Sequence, residues 1–208
     1  MANANRPNGL SPVSSLTGVS SWAQQGRLYC IPASDATSTY AIGDVVKSAA
    51  GSDANGVPNI GKATGSDVPL GIVVGVRQAD PGVSLVGVTI DLANIFVPKT
   101  KARAYYVYVI DEPTVMFEVQ FDATAIVSAN LHLNCALTYT ADQTTTLGPS
   151  SPFSSTVATA PAVTATLPIR LLGAIQRADN AVGSYVRVLA KFNTHEFGMS
   201  AGTGFTGV

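Results

Sequence analysis

The sequence predicts an all-β fold, a β-barrel or β-sandwich of about nine to eleven strands with a central hairpin and extended N- and C-terminal arms. Three observations predict it. Short runs of β-branched and aromatic residues recur between Gly, Pro, Asn and Asp. Residues 115–122 alternate strictly in polarity. No window of twelve residues combines helical periodicity with helical capping, and only 123–130 reads as one short helix.

Residues 1–26 read as an N-terminal arm, rich in Asn, Ser, Gly and Pro, with Leu10, Val13, Leu16, Val19 and Trp22 thinly spread. Trp22 is the single tryptophan. It either plugs the arm onto the core or anchors it on a neighbouring subunit. The body follows at 27–197. Strands are expected at 27–31, stopped by Pro32, at 41–47, at 69–76 and at 88–97, stopped by Pro98. Asn55-Gly56 is a hairpin turn signal.

The centre carries the strongest local signal. Residues 104–110 are dense in β-formers, and Asp111-Glu112-Pro113-Thr114 is a turn. After it, Val115, Phe117, Val119 and Phe121 share one face of a half-buried strand. Together these predict a hairpin over 104–122. Further strands are expected at 131–137, 169–176 and 184–192. The Thr/Ser/Ala/Pro stretch 141–166, with almost no charge, is too long for an ordinary loop and is expected to lie over the surface or against a partner. Residues 198–208 form a Gly-rich tail, expected to be mobile unless a partner orders it.

An internal echo links the halves 27–100 and 123–197. The segment 69–80 matches 168–179 at a constant offset of 99, and Thr39-Tyr40 matches Thr138-Tyr139 at the same offset. A duplicated β-unit explains this, as does chance similarity between two strands rich in small apolar residues.

Composition narrows function. Charged residues make up 12% of the 208-residue chain, about half the usual share of roughly 25%, and the formal net charge is −1. That is no basic nucleic-acid binder and no charged disordered chain. No apolar run reaches the length of a membrane-spanning helix, and the opening residues hold no secretory h-region. Cys30 and Cys135 read as reduced, buried side chains, with pairing as the alternative.

The chemical motifs are sparse. Gly198-Met-Ser-Ala-Gly202 fits the pattern of a nucleophile elbow, yet no acid or histidine follows it, as that catalytic order requires. His132 and His195 fit no metal-ligand spacing with the two cysteines. The residues therefore suggest no enzyme, no metal, no cofactor, no small-molecule substrate, no nucleic acid and no membrane. Lys99, Lys101 and Arg103 form the single basic cluster, either solvated or docked on an acidic surface. Few charges, small side chains and long arms with a single charge, Arg6, suit a chain that lies on a partner over a wide area.

Tyr40-Ala-Ile-Gly-Asp-Val-Val46, Asn55-Gly-Val-Pro58, Ala63-Thr-Gly65 and Leu70-Gly-Ile-Val-Val-Gly-Val76 resemble the pattern of small capsid decoration (cement) proteins of tailed bacteriophages, and Cys135-Ala-Leu-Thr-Tyr-Thr-Ala-Asp142 with Leu172-Gly-Ala-Ile175 resembles it a second time. The opening Ala2–Pro12 and the centre Tyr106–Pro113 with Phe117–Gln120 are similar to podophage virion structural proteins. The resemblance implies a protein on the outer surface of the phage head, made in the host bacterial cytoplasm. It would bind the major capsid protein, associate with itself as a dimer or trimer, and stabilise the shell. A tail, collar or fibre-associated virion role is the alternative. Leu10, Leu16, Trp22, Lys99, Lys101, Arg103, Phe153 and Phe205 are the expected capsid or intersubunit contacts.

Overall fold

The structure, a computed structural model, describes residues 3–18, 26–63, 65, 67–78, 96–138, 154, 156–198 and 207. The described residues are all-β. Thirteen strands run in chain order: β1 (Ser11–Ser15), β2 (Gly26–Ile31), β3 (Tyr40–Ala41), β4 (Val45–Ser52), β5 (Pro58–Lys62), β6 (Gly71–Gln78), β7 (Phe96–Val97), β8 (Tyr105–Ile110), β9 (Val115–Gln120), β10 (Asn134–Thr138), β11 (Val157–Ala162), β12 (Ile169–Ala174) and β13 (Arg187–Phe192). That is two more than the upper expectation. In place of a helix over 123–130 there is a single 3-10 turn, Ser128–Asn130.

The central hairpin does not form. Both of its strands are present, but β8 pairs with β2 and β6, while β9 pairs with β13 and β1. With both edges of each strand occupied, the two cannot pair with each other. Asp111–Thr114 is the corner at which the chain leaves one sheet for the other. A hairpin and a sheet-switching corner ask for the same turn residues, so local sequence does not separate them.

The consequence is a duplication. The first unit is a closed barrel in which β2, β8, β6, β4 and β5 are neighbours in turn. Every contact is antiparallel except the closing one, where Cys30 of β2 meets Asn59 of β5 in parallel. The second unit is a six-stranded sheet that repeats this order in β9, β13, β12, β10 and β11, with β1 added outside β9. Its contacts are again antiparallel, and one parallel bridge, Phe121 with Ala158 just past the end of β9, draws its two sides into a barrel-like curl. Even the irregularity recurs: a bulge interrupts β6 between Val73 and Gly75, and another interrupts β12 between Leu171 and Gly173. The halves are therefore 26–110 and 115–192, with the presumed hairpin divided between them as the last strand of one and the first of the other. The bulges align Gly75 with Gly173, one residue off the register of the sequence echo. Since side chains alternate, that slip would exchange inside for outside.

The barrels share core. Tyr29, Ile31, Val73, Val76, Val107 and Val109 fill the first. A second cluster, built on Phe117, Val119, Phe121, Leu171, Val188 and Phe192, also takes in Val45, Ala63 and Ile72 of the first barrel. The predicted Asn-Gly turn joins β4 to β5. Gly56 has φ +81, and the Asp53 carboxylate accepts from the N–H groups of Asn55 and Val57 at 2.8 Å each. Part of the long stretch expected to lie over the surface or against a partner, 157–162, is strand β11.

Gly71 is where close packing admits no side chain, because an added Cβ would lie 2.2 Å from the carbonyl oxygen of Ile110. Gly71→Ala should cost about 2–4 kcal/mol, a large single-site effect set by overpacking against backbone. Gly61 has open space at the corresponding point, and Gly61→Ala should stay within about 1 kcal/mol of the parent. Urea unfolding of the two variants checks the contrast.

Candidate interaction surface

The described part of the N-terminal arm is strapped onto the second barrel. β1 lies antiparallel along β9, with Ser11 opposite Glu118 and Ser15 opposite Val115. Upstream, the arm spends its amide groups on the barrel. Asn3 Nδ2 donates to the carbonyls of Ala181 and Ser184 at 2.7 Å each, and Ala181 N–H returns to Asn3 Oδ1 at 2.9 Å. Gln120 binds both the Arg6 N–H and Asn5 Oδ1. Arg187 is the rivet, donating to Asn8 Oδ1 at 3.0 Å, to the Arg6 carbonyl at 2.8 Å and to Glu118 Oε1 at 3.0 Å. Between arm and barrel runs an open polar cleft of about 620 Å³. Glu118 sits in it between Arg187 and Arg177.

At the far end of β1 the surface turns apolar. Val13 and Leu16 are 47% and 53% exposed. The strand carries no charged side chain. An uncharged outer strand with projecting apolar residues is chemically an adhesive edge.

Of the expected contact residues, Leu16 and Arg103 are exposed and Lys99 is half-buried. Leu10 is corrected. It is 1% exposed and belongs to the shared core, held by its N–H to the Gly43 carbonyl at 2.9 Å. Its apolar side chain gains more from the barrel junction than a mobile arm would give it. Lys101 is corrected likewise. Its stem packs inward and its ammonium donates to the carbonyls of Asp35, Ser38 and Lys99 and lies 5.5 Å from the Tyr40 ring centroid. It braces a loop from within. Trp22, Phe153 and Phe205 lie outside the described residues, as do Ser200 of the elbow-like motif and residues 199–206 of the tail.

What sequence reasoning missed is a buried polar knot joining the barrels. Asp44 is fully buried and pairs with Lys62 Nζ at 2.8 Å. It also accepts from the Ala41 N–H at 2.8 Å and from the hydroxyls of Ser154 and Thr156. Lys62 reaches on to the Thr39 carbonyl. Asp44 and Lys62 belong to the first barrel, while Ser154 and Thr156 lead into β11 of the second. The one signal was an acid inside an apolar strand, Ile42-Gly43-Asp44-Val45-Val46.

Three buried or half-buried tyrosines donate to aspartates: Tyr29 to Asp111 at 2.6 Å, Tyr40 to Asp35, and Tyr106 to Asp53. Burial and then the adjacent carboxylate push the Tyr106 phenol up to about 12 and raise Tyr29 and Tyr40 further. Burial of Asp35 acts to raise its carboxyl, but bonds from Tyr40 and Thr37 outweigh this and hold it low. Both cysteines are free and buried. Burial pushes Cys30 up to about 11 and raises Cys135 as well, so neither is a ready thiolate.

His195 follows β13 at the barrel junction. Its Nδ1 accepts the Phe197 N–H at 3.0 Å, which places the proton of the neutral ring on Nε2. Burial holds its pKa down, against the opposing pull of Asp111, Glu196 and Glu112. Glu196 ties the same corner to the first barrel through Ser48 N–H at 2.8 Å and its own N–H to the Pro69 carbonyl at 3.0 Å.

Among the described residues, no group of three His, Cys, Asp or Glu is placed to hold a metal ion, and no helix is long and apolar enough to cross a membrane. Fold and surface define a tandem-barrel protein with an arm strapped along its second barrel. Comparison with protein-family models, curated proteins and solved structures gave no match.

Breaking the knot from one side should be costly. Asp44→Ala or Lys62→Met alone should lose about 3–5 kcal/mol, because each takes the counter-charge away from a buried ion. The double variant should lose less than the two singles together, read from denaturant midpoints at pH 7. His195 sets an acid limit. Its folded pKa lies below the ordinary 6.5, so its stabilising share is full above pH 6.5 and declines as pH falls below it. Melting temperature should drop from pH 7 to pH 5 in the parent, and less steeply in His195→Gln.

Proposed function

We propose that the chain is a virion structural protein that decorates and stabilises an icosahedral phage head by binding its major capsid protein shell. One observation carries this reading: the same order of five strands occurs twice in one chain, once as a closed barrel and once within a six-stranded sheet. A repeated unit suits a partner that itself repeats, because two modest contacts engaged together bind far more tightly than either alone.

The surface chemistry supports the same reading. Projecting Val13 and Leu16 offer apolar contact area beside an uncharged strand. Val127, Val163, Val182 and Phe197 add exposed apolar side chains on the second half of the chain. The resemblance of 40–46 and 70–76 to decoration proteins points the same way. On a shell, each copy need contribute only a small interface. Binding to the assembled state and not to free subunits shifts the balance toward assembly.

The test is reconstitution. Purified protein added to expanded heads lacking it should bind saturably and raise the temperature or chaotrope concentration at which heads rupture. Leu16→Asp, which charges an exposed position without touching the core, should weaken binding at least tenfold while leaving the free protein's melting temperature unchanged. Heads equally robust with and without the protein, with labelled protein found on the tail, would overturn the proposal in favour of a tail or collar role.

A further inference from the structure

The two units match in the order of five strands, but among the described residues one further position is filled in only one of them. In the second barrel β9 makes its parallel closing contact at its C-terminal end, through Phe121 and Ala158. Its N-terminal half diverges from β11, and β1 fills that gap, covering Val115–Glu118. The aligned bulges and ladders set Arg27 of β2 against Phe117 of β9, through their partners Val109 and Ala190. By the same alignment Gly26 matches Met116 and Leu28 matches Glu118. In the first barrel the parallel contact is again at the C-terminal end, Cys30 with Asn59. Among the described residues, no strand lies where β1 would.

The backbone groups agree. Phe121 N–H donates to Val186, on the β13 side, so alternate residues 120, 118 and 116 turn their amides the other way. The equivalent residues in β2 are 30, 28 and 26. Cys30 uses that edge for β5, and Leu28 and Gly26 share its orientation. Among the described residues neither makes a hydrogen bond outside the β2 ladders. Both are half-buried, and the Arg27 side chain beside them is 69% exposed at the barrel mouth, 3.5 Å from Asp111.

We propose that the Gly26–Leu28 edge of β2 is a docking site for an extended segment of a partner polypeptide, which enters antiparallel to β2 as β1 does on β9. The chemistry of the occupant is set by the filled copy: a short strand without charge, built from small side chains such as Ser11-Pro-Val-Ser-Ser15. Main-chain hydrogen bonds supply the affinity in this mode of recognition. The site follows from the duplication and not from the capsid reading, and its test uses no phage heads, so the two fail separately.

A synthetic peptide of this chain's residues 8–17 serves as the probe. Added to the full-length protein, it should bind saturably and slow hydrogen exchange at the Leu28 amide at least tenfold. Leu28→Pro, which removes that N–H, should weaken binding at least tenfold. A peptide N-methylated at alternate amides should lose binding to the parent protein, which keeps the test open if the proline variant fails to fold. No binding at millimolar peptide, protection confined to β9 through exchange of the arm, undiminished binding in both controls, or a protein that already protects Leu28 by pairing with a second copy of itself would each overturn the proposal.

Discussion

Asp44 is the residue on which the two halves depend. A carboxylate with no exposed surface is tolerable only when fully bonded, and Asp44 meets that demand with groups from both barrels. Lys62 supplies the charge, Ala41 a backbone amide, and Ser154 and Thr156 hydroxyls from the approach to β11. The backbone around it is equally constrained. Gly9 and Gly43 have positive φ and pack so closely that a Cβ on Gly9 would lie 2.4 Å from the Gly43 carbonyl oxygen and one on Gly43 2.5 Å from that of Asn8. The Leu10 and Ser154 amides donate to the Gly43 and Ile42 carbonyls on either side. Arm, first barrel and second barrel meet at this point.

The same logic explains why the arm belongs to the body. Leu10 is drawn into the core cluster that spans the barrels, and Arg187 bonds the arm backbone from below. What remains outward on the strand is Val13 and, just beyond it, Leu16. Structure thus divides one apolar segment into a buried anchor and an exposed face. The division is the physical basis for reading the exposed part as contact surface. The acid-side weakness of the junction has a separate origin, since His195 is buried in its neutral form among ring neighbours Phe192 and Phe197.

Duplication changes what the fold offers. A single closed barrel has no free edges apart from the places where its closing strands diverge. Two such barrels give two divergent gaps. The chain carries an N-terminal strand for one of them, and the difference between the copies exposes the other as a place for something else.

Much of this was legible in the sequence. Alternation at 115–121, the Asn55-Gly56 turn and the turn-punctuated apolar runs determined strand character, because these signals are local and survive without neighbours, while the echo between 69–80 and 168–179 left a repeat open beside chance similarity. Pairing was not legible. Whether β8 pairs with β9 or with β2 and β6 depends on which edges are already taken, a question that residues 111–114 do not answer. Burial of Leu10 and Lys101 was equally hidden, since an apolar residue in an arm and a lysine in a basic run read as surface until the packed body shows a cavity and a ring of carbonyls to receive them. The bulges that offset the two copies by one residue arise only from ladder geometry. Sequence by itself therefore determined the class, and tertiary structure decided the partners and the register of the repeat, because strand identity is a property of a segment while pairing is a property of the space around it.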